Sequence, residues 1–447
     1  MAEIIPFKGI LYNTDKIGNM ANVVTPPYDV ISDDERDEYH KVNSYNIIRL
    51  ILGKKNEHDP DKETYHAKAS NYFTKWLDDG ILVQDRVPAF YLTTHEFPLG
   101  NRTVTRYGLT ALARLMPFDR GIILPHEKTF SKVKSERLGL LKKCHANFSS
   151  IFSLYSDKQN IILNSLKDAV SDKPPDMDFT DYKGHKHRQW RITDRDIHAY
   201  VADAMKDKKL FIADGHHRYE TSLNYKEWIS ANNPDFNADH PANFVMMYLC
   251  SMGDPGLIIL PAHRILTGLT GTELSSFKKR CDDFFDITTI PYKNNDNEKA
   301  KDNFISTLKA NSAKNIIGVF MKNCPELLLL TPKPQAMEDI FSDVMPAAIR
   351  SLDVTILTNL ILTRILDFDQ KRMDDEELFS YTTDYSEAID AVTPGKADIT
   401  FILNPTLIKQ VQQIAEMGLI MPRKSTYFFP KVITGQVLNR LTGCKIK

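Results

Sequence analysis

The chain has 447 residues, too many for one ordinary domain, and its 42% apolar and 26% charged residues are the balance of a globular protein with ample core material. Acidic and basic residues nearly cancel to a formal net charge of -1, and the Lys and Arg are scattered, which argues against a nucleic-acid partner. Cys144, Cys250, Cys281, Cys324 and Cys444 lie far apart with no CxxC pair, which excludes zinc-finger spacing and fits a reducing compartment.

The first residues lack a basic region followed by an apolar one, and no apolar run is long enough to span a bilayer. A cytoplasmic protein with no membrane partner is expected, and a homo-oligomer is left open.

In chain order, Pro6–Tyr12 predicts a short strand or loop, and the Pro26-Pro27 pair holds the chain extended up to Tyr28-Asp29. Ser32 with Glu35 is a capping box opening a charged helix. Thr64–Leu77 has helical spacing. Ala89–Thr94 and Thr103–Leu115 predict a hairpin turning at Gly100-Asn101.

The apolar run Ile122-Ile123-Leu124 ends at Pro125 and exits into His126-Glu127-Lys128-Thr129. A helix over Ser135–Lys143, a strand over Asn147–Tyr155 and a loop or exposed hairpin over Asp172–Lys186 come after it. Asp194–Lys208 predicts an amphipathic helix, Leu210–Ala213 a buried strand, and Tyr219–Ile229 a helix.

Further on, Phe244–Ser251 and Leu257–Leu260 predict strands, as do Ile316–Met321 and Glu326–Leu330. Asp353–Leu366 predicts a helix, Ala397–Leu403 a strand and Thr406–Met417 a helix. Polar Lys293–Asp302 marks a boundary. The fold class expected is α/β, with a mixed α+β arrangement as the variant.

The strongest chemical signal is the strand that runs into Asp214-Gly215-His216-His217-Arg218 ahead of a helix. A helix N-terminus offers unpaired N–H groups and positive potential, and a glycine lets the backbone turn or a ligand come close. His216, His217 and Arg218 add donors, and an arginine can grip two phosphate oxygens at once, so the element predicts an anion cradle. Asp214 suits Mg²⁺ or a proton, or it simply caps the helix. A transition metal on His216 and His217, completed by His126, Glu127 or His263, is the competing reading.

The strand followed by D-G-H-H-R resembles the nucleotide-binding signature of the ParB/sulfiredoxin superfamily, some members of which are free-serine kinases. A wider resemblance, to the prokaryotic family labelled domain of unknown function 1015, covers nearly the whole chain. It rests on Pro26–Ile31, Arg106-Tyr107-Gly108, Leu124–Thr129, Ile151–Tyr155, Ile212–Tyr219, Leu260–Arg264 and Met421–Lys431, in that order. At Lys134-Ser135-Glu136-Arg137 the family usually has Asp before the Arg, so the acid is only partly kept, by Glu136. The resemblances imply a ParB/sulfiredoxin-like core over 1–290 with an insertion over about 50–205. They also imply a C-terminal α/β region, 291–447, that contributes the Met421–Thr426 loop.

The activity implied is an ATP- or ADP-dependent kinase of a small hydroxyl metabolite, with free L-serine the first guess and Mg²⁺ as companion. The cofactor would be held by Asp214, Gly215, His216, His217 and Arg218, its phosphates on the Gly215–Arg218 turn, with His126, Lys128, His263 and Arg264 as further cofactor ligands. Asp29 and Glu127 compete as general base, His217 is a third catalytic candidate, and Asp214 and Glu127 are the metal ligands. Lys424, Ser425, Thr426 and Lys431 would hold an anionic substrate group. The rivals are a nucleotide-binding regulator with little turnover and a metal-dependent hydrolase using His216, His217 and Glu127.

Overall fold

The structure, a computed structural model, describes every residue except 55–61, 130, 293–296, 393–394 and 443–447. Cys444 and the start of the polar stretch at Lys293 lie outside the described residues. The chain divides into two compact units: unit 1 is Met1–Ile258 together with the chain from Pro430 onward, and unit 2 is Ile259–Phe429. The first division falls ahead of the polar stretch, and Asn297–Ala310, within and beyond that stretch, is a helix inside unit 2.

Unit 1 is built on a nine-stranded mixed sheet. Its strands are β1 (Ile4–Ile5), β2 (Phe90–Leu99), β3 (Arg102–Arg114), β4 (Ile123–Leu124) and β5 (Ile151–Tyr155), then β6 (Met177–Thr180), β7 (Lys186–Ile192), β8 (Leu210–Asp214) and β9 (Phe244–Ser251). Across the sheet the order is β4-β8-β5-β9-β3-β2-β7-β6, with β1 added to β3. The pairs β8–β4 and β9–β5 are parallel and the others antiparallel. The expected hairpin at Gly100 is the β2–β3 turn, which keeps unbroken register from Leu99↔Arg102 to Tyr91↔Thr110.

Five helices of unit 1 flank this sheet or cap its cores: α1 (Asp33–Val42), α2 (Lys62–Asp78), α3 (Ser131–Cys144), α4 (Arg195–Met205) and α5 (His216–Asn232). The Ser32–Glu35 capping box closes reciprocally at the start of α1, satisfying two backbone donors that a helix N-terminus otherwise leaves open. One face of the sheet packs Leu92, Leu109, Met247 and Ile212 with α4 residues such as Val201 and Met205. A separate core gathers Phe73 and Trp76 of α2 with Ile47, Ile48 and Phe148.

The segment expected as a loop or exposed hairpin, Asp172–Lys186, supplies β6 and the start of β7. The two strands join the sheet, and His185, His187 and Gln189 are buried. The expected hairpin is there, turning between Thr180 and Lys186; what the polar composition hides is that the alternation of β7 puts His187 and Gln189 on the covered face.

Unit 2 has a six-stranded, wholly antiparallel sheet that includes the expected pair Ile317–Met321 and Glu326–Pro332. Its core contains the expected helix from Asp353, but only Asp353–Thr355 is α-helical, and Ile356–Ile365 is wound as a π-helix. Cys144, Cys250 and Cys281 are buried free thiols, and Cys324 is free and half-buried. Among the described residues, no helix is long and apolar enough to cross a membrane.

Candidate functional site

β8 is fully buried as far as Ala213 and then meets a register irregularity against β5 between Ile212 and Asp214. Such a bulge turns the strand end away from the ladder and re-aims the side chain beyond it, here Asp214. Gly215 comes next with φ +93°, and α5 begins directly at His216, three residues earlier than the spacing predicts. His216, His217 and Arg218 are therefore the first turn of the helix itself. Gly215 is required twice over: its φ lies in the left-handed region, and a Cβ there would come within 2.9 Å of the Arg218 guanidinium.

Asp214 does not cap the helix. One oxygen accepts from Arg218 Nη2 at 2.5 Å, and the other accepts from the Lys431 ammonium. Burial alone would raise this carboxyl, but the Lys431 and Arg218 charges outweigh it and bring the pKa to about 2. Arg218 spends Nη1 on the Ser150 carbonyl, so its fork, expected to face a phosphate, is closed on the protein. Its Nε is buried with no partner among the described residues.

Asp29 belongs to the same cluster. Partial desolvation by the surrounding protein, then the negative charge of Asp214, hold its carboxyl above the ordinary range, against the pull of Arg218 and Lys431. The residue as a whole still keeps an exposed surface. Two neighbouring carboxylates whose surroundings push their pKa values apart are an arrangement typical of acid–base sites. His217 is half-buried, and burial lowers its pKa while the charges of Glu220 and Asp29 pull the other way.

The Pro125–Thr129 segment runs alongside. His216 is buried; its Nε2 accepts from the His126 amide at 3.4 Å, and its Nδ1 lies 3.6 Å from Glu127. The tautomer this implies carries its proton on Nδ1, facing the carboxylate. Burial, then the neighbouring His126, hold His216 well below the usual histidine range, and burial brings His126 to about 4. Glu127 and Lys128 are exposed. Glu220, unnoticed in the sequence, fastens this segment to α5 through Thr129 at 2.8 Å and Lys134 at 2.5 Å.

An open cleft with a cavity volume of about 70 Å³ lies beside Arg218, lined by Tyr28, Ile51, Arg137, Leu140, Phe148 and Ser222 among others. Arg137 stacks on the Tyr28 ring at 3.7 Å and donates to the Ile51 carbonyl at 2.7 Å. Both residues stand in stretches already singled out in the sequence, but only the fold makes them one wall.

His263, Arg264, Lys424, Ser425 and Thr426 belong to unit 2, whereas Lys431 belongs to unit 1. His263 accepts from the Leu403 amide at 3.2 Å. Arg264 is buried and donates to the carbonyls of Ala262, Arg423 and Lys424, and burial pulls its pKa down to about 10. The Ser425 hydroxyl donates to the Pro422 carbonyl, and Lys424, at φ +56°, projects over the Tyr381 ring. His216 and His217 are consecutive on a helix and take different surroundings. Among the described residues, neither joins a group of three side chains with metal-ligand spacing.

The chain belongs to the family described as protein of unknown function (DUF1015), whose model matches residues 4–355. No curated protein matches it. Among solved structures, it is similar to a mutant free serine kinase in complex with ADP, at 10% identity and a TM-score of 0.34, over 71% of this chain and 86% of that one. It is also similar to a conserved hypothetical protein from Pyrococcus furiosus, at 10% identity and a TM-score of 0.34, over 75% and 95% of the two chains. For SbnI with C-terminal truncation from Staphylococcus aureus the values are 9% and 0.33, over 73% and 86%.

Proposed function

We propose that unit 1 is a nucleotide-dependent phosphotransferase acting on the hydroxyl of a small metabolite. ATP or ADP is the donor, and free L-serine is the first acceptor to test. The observation that carries this reading is the group Asp29, Asp214, Arg218 and Lys431, set at the N-terminus of α5 beside the cleft. The resemblance of the Asp214–Arg218 element to the ParB/sulfiredoxin signature agrees with it.

The donor phosphates compete with Asp214 for Arg218 and Lys431 and gain the potential of the helix end. Asp29, whose pKa is raised, takes the acceptor's hydroxyl proton. The acceptor oxygen bonds to the terminal phosphorus as the bond to the leaving nucleotide oxygen breaks. Arg218 and Lys431 hold the charge that develops, which is most of what phosphoryl transfer asks of a protein. The apolar wall at Ile51, Leu140 and Phe148 suits the nucleoside.

Mg²⁺ takes carboxylate oxygens, and those of Asp214, now held by Arg218 and Lys431, would be released to it as phosphate draws the two cations away. Asp214 and Glu127 would hold it, and it would neutralise phosphate charge.

The test is calorimetric titration with ATP, ADP, CTP and GTP, then a phosphorylation screen of hydroxylated metabolites that begins with L-serine. One nucleotide is expected to bind and one acceptor to turn over. Nucleotide binding unchanged in Arg218→Ala would overturn the reading.

A further inference from the structure

A second polar cluster lies on the sheet of unit 1, among strands that the phosphate-site reading does not use. The register of β7 against β2 sets His187 opposite His95, with Phe179 of β6 on the far side of His187. His185 is two residues before His187 and so faces the same side of the sheet, diagonal to His95, within reach of a ring. Asp181 closes the β6–β7 turn. One of its oxygens accepts the amides of Lys183 at 2.9 Å and His185 at 3.0 Å, and the other meets His187 Nε2 at 3.0 Å.

The result is two histidine nitrogens and a carboxylate oxygen converging in a sheltered place. His95 Nε2 and His185 Nδ1 are 3.0 Å apart, and His185 Nδ1 is 4.0 Å from Asp181 Oδ2. All three ligand atoms lie within 4.8 Å of one another, and among the described residues this is the one such group. Tetrahedral ligands at zinc–nitrogen distances are about 3.3 Å apart, so sub-ångström shifts would seat an ion.

From this geometry we infer that His95, His185 and Asp181 form a binding site for a divalent transition metal of the zinc type. Two histidines with one carboxylate are a donor set such ions take, and they leave a coordination position for another ligand. His187 is a positioning residue: its hydrogen bond holds the Asp181 carboxylate, and Phe179 stacks on its ring at 5.0 Å. The turn amides hold the other Asp181 oxygen, so the carboxylate is oriented before any ion arrives.

A cavity of about 10 Å³, room for one water-sized ligand, lies beside His95 and His187, lined also by Thr93, Arg106 and Gln436. Arg106 is fully buried, and its Nη2 has no partner among the described residues. Hydroxide as the fourth ligand would offset the guanidinium charge.

The test uses the full chain without a polyhistidine tag, stripped by chelator. It is titrated with Co²⁺, read by d–d absorption, and with Zn²⁺, read by competition with a chromophoric chelator. One equivalent is expected, with a low-symmetry Co²⁺ spectrum and Zn²⁺ affinity weakened about 100-fold or more by His185→Gln and by Asp181→Asn. Asp181→Asn keeps the oxygen that accepts the turn amides, so a metal-free melt matching the parent separates lost ligation from lost fold. Absence of saturable Co²⁺ and Zn²⁺ binding overturns the assignment. So does binding that both variants leave unchanged.

Discussion

Two basic clusters singled out as ligand sites, Asp214–Arg218, which the fold joins to Lys431, and His263-Arg264, which it joins to the Met421–Thr426 loop, spend their cations differently. In unit 1, Arg218 and Lys431 converge on one carboxylate beside a cleft, with a second carboxylate close enough to feel the first. In unit 2, Arg264 donates to backbone carbonyls and His263 accepts a backbone amide. Arg218 also donates Nη1 to the Ser150 carbonyl, so it is its Nη2, paired with a carboxylate, that can turn to an incoming anion, whereas Arg264, which spends both terminal nitrogens on carbonyls, cannot leave without stranding them. The same residue types thus read as chemistry in one place and as framework in the other.

Asp29→Asn gives the sharpest test of the first half of this contrast. Turnover is expected to fall about 10²–10⁴-fold, the usual worth of a general base, while nucleotide affinity measured by calorimetry stays close to the parent's. Equal loss of both would make Asp29 a binding group.

Arg264→Ala should act on stability alone. It strands carbonyls of Ala262, Arg423 and Lys424, which is expected to cost about 2–4 kcal/mol in denaturant unfolding of unit 2. Nucleotide affinity is expected to be unchanged. A variant of full stability with weakened nucleotide binding would break the contrast.

Arg218→Ala should weaken nucleotide binding by about 10–100-fold, the worth of a charged hydrogen bond or two, besides the stability lost as it strands the Ser150 carbonyl and an Asp214 oxygen. Gly215→Ala should weaken it as well and cost about 1–3 kcal/mol of stability, because the new methyl meets Arg218 on a backbone that disfavours it.

The smallest effect is a pH dependence in unit 2. Burial, then the Arg264 charge, lower His263 to about 4, below its unfolded value of about 6.5. The unfolded chain therefore binds the proton first as pH falls. The stabilisation is complete above about pH 6.5 and drains away towards pH 4, roughly 1 kcal/mol of it by pH 5.5. His263→Gln, examined by thermal melts across that window, should flatten the profile.

Much of the secondary structure is legible residue by residue. The Ser32 capping box, the hairpin at Gly100, the strand into Asp214 and the Ile317–Met321 pairing all arise from local spacing. The hairpin within Asp172–Lys186 does as well, but burial of its histidine-bearing face does not, because that depends on what covers it. Nor does the π-helix Ile356–Ile365, whose apolar pattern suits an α-helix equally well. In the candidate site, the Gly215 turn and its donors can be found from sequence. The Glu220 tether, the Ser150 carbonyl and the Arg137–Tyr28 wall cannot, since each depends on distant segments meeting.

By itself the sequence determined the elements, the glycine turn and the set of chemically active side chains, because those depend on neighbours a few positions away. Tertiary structure alone decided their partners. It brought Lys431 onto Asp214, set His95 against His185 across two strands, and turned Arg264 onto the backbone. The reason is physical: the charge state and availability of a polar group depend on the desolvation and counter-charges around it, and those are supplied by residues far away in the chain.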